Sequence, residues 1–478
     1  MNSEKGFPMR KNLIGLIIIL ALVLTTINVS PVNAAAYGTV FTTSITYQNV
    51  GTSNANITLF FYPEVNGSAI TITRPQLAPL AGTSIFVGGL SQIASGFKGS
   101  AIMQSDQPLV ATMVQVPPTS SSVKVRPLSN GFSGGSAEVG IPTVLKNTFG
   151  THSVVVVQNV DSVGADLTLD FVPVSGSSIQ LTHTNLPSGA AKYYDLGQMT
   201  QFGSSFNGAL KITSEKTGTN NPGSIVATSM ELNITGNGAY AFEGTTQSGT
   251  KIYMPSALCR YTSGLQTTAY AVQNTSSSST NVTVRYSNGN TDGPFSIPAG
   301  GKRSFDGCAV NGTGFLGSAT VESTGGAIVA VGKVYNGGLS TAFLGFTDGA
   351  SKIALPYVRY TQAHWTNGAR QRAFIAIQNV GTTGLASGQV TVKYYGKDGT
   401  LIGTHTLGAI ASGAKVNSNP TNIGAAGNEF GYYLDGSIGG AAIVEGPVGS
   451  ELAVVVRVQT YVSASESAGE DYTGIPIQ

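Results

Sequence analysis

The dipeptide Gln-Asn follows an apolar run at four places along the chain, and this recurrence limits what the chain can fold into. The four copies are Gln48-Asn49, Gln158-Asn159, Gln273-Asn274 and Gln378-Asn379, and successive copies lie 110, 115 and 105 residues apart. A period of this length is the size of a small domain, and it is too long for a propeller blade, which repeats about every 40 to 50 residues. The sequence therefore predicts four tandem units.

Other features recur after each Gln-Asn pair in the same order. An apolar triplet with mostly polar residues between its members comes first, and such alternation is typical of a half-buried strand. A turn, a further glycine and an apolar-x-Gly-small motif follow. The triplets are Ile57/Leu59/Phe61, Leu167/Leu169/Phe171, Val282/Val284/Tyr286 and Val390/Val392/Tyr394, and the later glycines are Gly82, Gly189, Gly300 and Gly413. About seven or eight short strands per unit indicate an all-β fold of two-sheet sandwiches with Greek-key connections.

Four apolar-Pro dipeptides recur at intervals of roughly one unit, and the last of them ends two residues before the C-terminus. The copies are Ile141-Pro142, Met254-Pro255, Leu355-Pro356 and Ile475-Pro476. We interpret these segments as the closing strands of the units, so that the four sandwich domains span 35–146, 147–258, 259–358 and 359–478. Because no long linker separates the units, we expect an elongated and fairly stiff array.

Residues 1–34 have the pattern of an export signal peptide. Basic residues precede an apolar run of twelve from Leu13 to Leu24, and Val32-Asn33-Ala34 is a small-residue cleavage site. Twelve residues are too few to span a bilayer, so we expect cleavage near Ala34 and a mature chain without a transmembrane anchor. The expected location is outside the cell or at the cell surface.

The charge pattern argues against nucleic-acid binding. The chain has 25 basic and 23 acidic residues, only 10% of residues are charged, and removal of the leader makes the two signs equal in number. A phosphate backbone needs a concentrated basic face. The nearest basic cluster is Arg359, Arg370 and Arg372, which we interpret as solvated surface. A surface with so little charge favours self-association or contact with a cell-wall or surface component.

The two cysteines, Cys259 and Cys308, both fall in the third unit. In an exported protein such a pair predicts a disulfide, and closing a loop of about 50 residues stabilises the fold by roughly 3 to 4 kcal/mol. A free or metal-binding pair is the alternative. A catalytic cysteine would need a nearby histidine, and the third unit contains none.

The sequence offers no convincing catalytic site. Its four histidines lie at unrelated positions of the repeat, and the acidic residues have no matching partners in other units. The segment 131–135 matches the nucleophile-elbow pattern G-x-S-x-G, but that motif requires a strand that turns into a helix, and the surrounding sequence is of β type. We therefore predict a non-catalytic protein without catalytic residues or cofactors, and keep an extracellular hydrolase as the remote alternative.

Asn288, Asn290 and Asp292 copy the first half of a calcium-binding loop. The twelfth position of that loop is Ala299 rather than a bidentate glutamate. We therefore interpret the segment as a hairpin turn, with calcium binding as the minor alternative.

The Gln-Asn pair itself has two interpretations. An asparagine at a strand end can bond its own backbone two residues later and fix a turn, whereas exposed amides can also bind sugar hydroxyls. We favour the structural role, because all four units keep the pair while their loops differ. Better candidates for ligand or interface contacts are Tyr360, His364 and the only tryptophan, Trp365, in the long segment that opens the fourth unit.

The string Gln48-Asn49-Val50-Gly51-Thr52, the later segment 96–101 and Ser105-Asp106-Gln107-Pro108-Leu109 together resemble tandem Ig-like sandwich repeats of bacterial secreted and surface proteins. The resemblance covers nearly all of the predicted mature chain, and it implies an extracellular role that is mostly non-enzymatic. We therefore predict a secreted structural or adhesive protein that acts through self-association or surface contacts. The alternative is an extracellular array of carbohydrate-binding modules, with glycans as partners.

Overall fold

The computed structural model describes residues 40–477 apart from 119, 122, 234–237, 263–264, 337–338, 367–369 and 464–465. The predicted leader and its cleavage site lie outside the described residues. The described chain is almost entirely β-structure in eight small antiparallel sheets, which confirms the all-β prediction. Within the described ranges, helical structure is limited to the short 3-10 segments Val87–Gly89, Thr200–Phe202 and Pro420–Gly427.

The strands are numbered in chain order. β1 to β7 are Thr42–Asn49, Ile57–Pro63, Ile70–Thr73, Gly82–Phe86, Gly99–Ser105, Leu109–Val116 and Leu128–Asn130. β8 to β15 are Glu138–Lys146, Thr151–Asn159, Ala165–Pro173, Ile179–Leu186, Ala191–Asp195, Phe206–Lys216, Ile225–Asn233 and Ala239–Glu243. β16 to β23 are Lys251–Cys259, Thr267–Asn274, Thr280–Tyr286, Thr291–Ile297, Lys302–Asp306, Phe315–Ser323, Ile328–Tyr335 and Thr341–Leu344. β24 to β32 are Lys352–Leu355, Gln371–Asn379, Thr391–Gly396, Leu401–Thr406, Lys415–Ser418, Gly440–Glu445, Leu452–Ser463, Glu466–Thr473 and Ile475–Pro476.

Each of these four groups of strands makes two sheets, and we call each group a sheet pair. The inner sheets contain the Gln-Asn strand and have the orders β4-β1-β6-β7, β12-β9-β14-β15, β20-β17-β22-β23 and β28-β25-β30-β31. The outer sheets have the orders β3-β2-β5, β11-β10-β13-β8, β19-β18-β21-β16 and β27-β26-β29-β24-β32. One hydrophobic cluster lies between the two sheets of each pair.

The apolar triplets supply these clusters. Their central residues, Leu59, Leu169, Val284 and Val392, are each 0% exposed. The polar residues between the triplet members stay partly or fully exposed, as at Thr168 and Arg285. The alternation predicted from the sequence is therefore confirmed, because one face of each strand packs against the inner sheet while the other meets solvent.

The first three apolar-Pro segments open sheet pairs rather than close them. Ile141-Pro142 lies in β8, which pairs with β13 of the second sheet pair, and β16 and β24 pair in the same way with β21 and β29. Ile475-Pro476 belongs to a different position of the repeat, since it pairs back onto β24 as Thr245 pairs with Gly140. The predicted closing role is therefore wrong for the first three segments. Spacing along the chain does not show on which side a boundary strand pairs.

The four sheet pairs close into a ring through the last strands of their inner sheets. β7 contacts β15, β15 contacts β23, β23 contacts β31, and β31 returns to β7. Asn130 in β7 donates through Nδ2 to the carbonyl oxygen and to Oγ1 of Thr473 in β31, at 2.9 and 2.7 Å. The expected elongated array is therefore wrong. A contact between residues so far apart in the chain leaves no local pattern from which it could be predicted.

Candidate functional site

The asparagine of the Gln-Asn pair makes the same side-chain hydrogen bonds in all four sheet pairs. Asn159 shows the pattern: Nδ2 donates to the carbonyl oxygens of Val163 and Leu186, at 2.7 and 2.8 Å, and Oδ1 accepts from the backbone N–H of Asp161 at 2.9 Å. Asn49, Asn274 and Asn379 repeat these three bonds with their own neighbours. All four asparagines are buried. This geometry ties the end of the first inner strand to the turn and to the returning chain.

The glutamine of each pair donates a hydrogen bond to the turn that comes later in the repeat. Gln158 donates to the carbonyl oxygen of Gly189 at 3.0 Å, and Gln378 donates to that of Gly413 at 3.2 Å. The same two carbonyls also accept from the preceding sheet pair, through Ser100 at 2.7 Å and Ser318 at 3.4 Å. The apolar-x-Gly-small motif of one repeat therefore meets the turn glycine of the next at these two seams.

A buried lysine and a half-buried lysine cross seams from matching positions. Lys302 Nζ donates to Thr143 Oγ1 of the second sheet pair at 2.6 Å, and Lys415 Nζ donates to the carbonyl oxygen of Gly317 at 2.9 Å. Burial lowers the pKa of Lys302 to about 7, with a further lowering from nearby Lys333, and burial lowers the pKa of Lys415 to about 8. Sequence reasoning missed both residues, although each follows a turn glycine by two positions.

The seam between the fourth and first sheet pairs holds a buried ion pair. Nε of Arg126 lies 2.9 Å from Oε1 of Glu470, whose side chain is 0% exposed. Burial raises the pKa of Glu470 to about 7, although the charge of Arg126 opposes this. Nearby Arg359 is fully buried and donates through Nη1 to the carbonyl oxygens of Val358 and Gly440, both at 2.7 Å. Its interpretation as solvated surface is therefore wrong.

The first–second and third–fourth seams carry further buried polar contacts. Glu243 accepts the backbone N–H of Asn130 between the second and first sheet pairs, and burial raises the pKa of Glu243 to about 7. Thr341 Oγ1 donates to Asp471 Oδ2 at 2.8 Å between the third and fourth pairs, and Arg457 holds the same carboxylate with two hydrogen bonds, at 2.9 and 2.7 Å. Every junction of the ring is therefore closed by polar groups as well as by packing.

The three residues predicted as ligand or interface contacts differ in their exposure to solvent. Tyr360 is buried, whereas His364 is exposed, with its Nδ1 3.3 Å from Oε1 of Glu429. Trp365 is half-buried and packs edge-to-face on Tyr461, with ring centroids 5.7 Å apart. Of the three, His364 and Trp365 reach the surface.

A guanidinium and a carboxylate hold the loop that carries Trp365. Arg372 lies 4.7 Å from the centre of the Trp365 ring, and its Nε donates to the carbonyl oxygen of Thr361 at 2.9 Å. Glu429 accepts from Thr361 Oγ1 at 2.6 Å and from the backbone N–H of Ala363 at 3.0 Å. Burial alone would raise the pKa of Glu429, but these hydrogen bonds lower it overall. The result is a half-exposed aromatic ring beside a cation, and such an arrangement can contact a sugar or a protein.

The predicted disulfide between Cys259 and Cys308 is present and staples the end of β16 to the loop after β20. In the same sheet pair, Asn288 and Asn290 of the proposed calcium loop donate to the neighbouring loop, to Asn311 Oδ1 at 2.9 Å and to the carbonyl oxygen of Val310 at 2.8 Å. Burial raises the pKa of Asp292, the third residue of that loop, although Arg303 opposes this. In the described part of the chain, no three acidic, histidine or cysteine side chains converge as a metal site.

Two further features bear on function. The segment 131–135, which matches the nucleophile-elbow pattern, connects β7 to β8 without a helix. The strained strand-to-helix turn that this motif needs is therefore missing there. Across the described ranges, none of the helices has the length and apolar character needed to cross a bilayer.

Comparison with known proteins adds little. No family model and no curated protein match the chain. One solved structure, a tetra-tandem repeat from the extending region of a large adhesion protein, aligns with 90% of this chain and 94% of its own at 10% identity. Its TM-score is 0.11, which does not establish a shared fold.

Proposed function

We propose that this protein is a secreted structural or adhesive protein, without catalytic activity, whose four Ig-like sandwich domains form one rigid ring. The contact between the first and fourth sheet pairs, at Asn130 and Thr473, carries this proposal. Closing the ring fixes the four sheet pairs relative to one another, so their outer surfaces are presented at set positions. A building block of an assembly or a surface adhesin needs surfaces at fixed positions, because it binds its partners through several contacts at the same time.

We place the domain boundaries in the connections 131–137, 244–250 and 345–351. The strand pairing supports this choice, because β8, β16 and β24 each complete the outer sheet of the group that follows them. The boundaries expected at 146, 258 and 358 would cut these strands from their sheets. The disulfide is consistent with an extracellular location, since such bonds persist in oxidising compartments.

The outer strands offer the surfaces for association. β3, β11, β19 and β27 each lie at the edge of an outer sheet, where unpaired backbone groups can join another strand. Pro294 protects β19, and the 3-10 segment Pro420–Gly427 packs on β27. β3 and β11 contain neither lysine nor proline, so these two edges are the candidates for self-association or for contact with a cell-wall component.

Electron microscopy of the secreted fraction and of the native cell surface tests this proposal. We expect rings that tile into a lattice, stack into filaments or decorate the surface. A dispersed monomeric ring that binds neither itself nor the cells that make it would contradict the proposal.

Glycan binding is the second candidate, and the half-exposed Trp365 beside Arg372 favours it. Stacking of a sugar ring on the indole would supply the contact. On a glycan array, Trp365→Ala should lose the signal, while Phe149→Ala, which removes a 73% exposed aromatic of the second sheet pair, should keep it. An array without signal for the unaltered protein would end this hypothesis.

A further inference from the structure

Among the residues that the structure describes, the outer sheet of the first sheet pair lacks a strand that the other three possess. In the second, third and fourth pairs, β8, β16 and β24 lie beside β13, β21 and β29. The counterpart of β13, β21 and β29 in the first pair is β5. Among the described residues, β5 pairs with β2 alone. One edge of β5 is therefore open to pairing.

The side chains of β5 show the consequence. Ala101 and Met103 are half-buried. Ala101 and Met103 pair with the apolar triplet of β2. In the other three sheet pairs, the residues that pair with the same triplet positions are at most 2% exposed. They are Leu210 and Ile212, Ala319 and Val321, and Ala442 and Val444. The first sheet pair therefore leaves apolar surface uncovered where the other pairs cover it with a strand.

The other sheet pairs show what kind of strand fits. Val139 and Ile141 of β8 lie opposite Ile212 and Leu210, and a proline follows Ile141. β16 and β24 place Ile252 with Met254 and Ile353 with Leu355 in the same register, again followed by proline. The matching occupant is an extended segment of the form apolar-x-apolar-Pro.

By position in the first repeat, the matching segment falls mostly within the predicted leader. β8 begins 20 residues before Gln158, and the same spacing before Gln48 leads to residue 28. Cleavage near Ala34 removes most of the segment that starts there, and only seven residues, 35–41, then precede β1. The strand must in that case come from another molecule.

The open edge adjoins the seam with the second sheet pair. The hydroxyl of Tyr193 in that pair donates to the carbonyl oxygen of Gly99 at 2.6 Å. Gly99 is the first residue of β5. In the second pair, β8 also contacts β17 and β22 of the next pair, and Ala271 and Val331 join the hydrophobic cluster there. An added strand beside Ala101–Ser105 would therefore touch the second sheet pair as well, and would extend an existing interface.

We propose that the β5 edge is a strand acceptor, which binds an extended apolar-x-apolar-Pro segment of another protein molecule in trans. Backbone hydrogen bonds supply affinity, and the uncovered surface at Ala101 and Met103 selects the alternating apolar side chains. The proposal rests on the structural or adhesive function above and names how the ring takes hold of a partner. It also rests on removal of the leader.

A labelled peptide with the sequence of Glu138–Lys146 tests the acceptor against the chain that begins at Ala35. We expect saturable binding with one peptide per ring, measured by fluorescence anisotropy. A control peptide has the same composition, but Val139 changes places with Gly140 and Ile141 changes places with Pro142. It should bind about tenfold more weakly or worse, because its apolar side chains then face the wrong side. Equal binding of the two peptides, or no binding of either, would overturn the proposal.

Two variants locate the site. Met103→Lys should lose the peptide, whereas Gln104→Lys, which changes the exposed neighbour on the other face of β5, should retain it. Thermal unfolding checks that both variants fold. Should Met103→Lys prove unfolded, a chain with the Glu138–Lys146 sequence fused through a short linker before Ala35 replaces it, and added peptide should no longer bind.

Two outcomes separate this proposal from the proposed function. An intact mass showing that the secreted chain keeps residues 28–36, with added peptide excluded, would overturn strand acceptance in trans. Peptide binding by rings that form no assembly and bind no cells would leave the acceptor intact and contradict the structural role.

Discussion

At the scale of single residues, one turn shows how the backbone restricts the sequence. Gly189, Gly300 and Gly413 adopt φ values of 77°, 67° and 75°, in the left-handed region where a Cβ atom costs free energy. In the first repeat Leu80 occupies this position with φ 62°. Gly82, which sequence reasoning aligned with the other glycines, instead pairs with Gln48 two residues later. The alignment was wrong at this point because Leu80 keeps the backbone conformation without the residue type that marks it.

Gly413→Ala should reduce the free energy of unfolding by about 1 kcal/mol, because the new side chain has open space but an unfavourable φ. Gly408→Ala is the matched control, since Gly408 lies nearby in equally open space without a positive φ. Chemical denaturation of both variants measures the difference. Equal unfolding midpoints would show that φ does not set the cost.

Asn379→Ala should cost about 2 to 4 kcal/mol of stability, because it removes three hydrogen bonds of a buried amide, to the carbonyl oxygens of Thr383 and Ile410 and from the N–H of Gly381. Asn281→Ala removes an exposed asparagine of the third sheet pair and should change little. Urea unfolding distinguishes the two. A neutral Asn379→Ala would contradict the structural role of the motif.

At the scale of strands and loops, the third sheet pair depends on one covalent link. The disulfide joins Cys259, at the end of β16, to Cys308, 49 residues later. It closes a loop that includes β17 to β20 and thus limits the unfolded chain more than the folded one.

Cys308→Ser should lower the free energy of unfolding by about 3 kcal/mol, with the loss confined to the third sheet pair. Hydrogen exchange should show faster opening in β17 and β20 than in β25 and β30. Reduction of the unaltered protein should have the same effect, and an unchanged exchange rate under both conditions would contradict it.

Strands inside a repeat were predictable, whereas strands between repeats were not. The triplets around Leu59 and Leu169 identified β2 and β10, because alternation along a strand depends only on which face meets the core. β8 carries the same apolar character, yet its sheet membership depends on β13, more than 60 residues later. No local pattern records that choice.

At the scale of the whole molecule, polar groups at the seams make the stability of the ring depend on pH. Glu243 lies between the second and first sheet pairs, where burial raises its pKa to about 7. An unfolded glutamate titrates near 4.3. Between these values the folded protein holds the proton more tightly, so this group stabilises the fold most at low pH, and that contribution is lost as pH rises through 7.

Glu243→Gln should therefore raise stability at pH 8 by up to about 3 kcal/mol relative to the unaltered protein, and should change it little at pH 4.5. The amide keeps an oxygen that accepts the N–H of Asn130. Melting temperatures across this pH range measure the effect. Parallel pH profiles for the two proteins would show that Glu243 is not protonated in the folded state.

The amino-acid sequence by itself determined the number of repeats, the all-β class, the buried alternation and the disulfide. Each of these depends on nearby residues or on an exact recurrence along the chain. Only the tertiary structure decided that β8 opens a sheet, that Arg359 is buried and that Asn130 meets Thr473 to close the ring. Those outcomes depend on which surfaces of distant repeats fit together, and the energy of that fit belongs to pairs of residues that no local window of sequence contains.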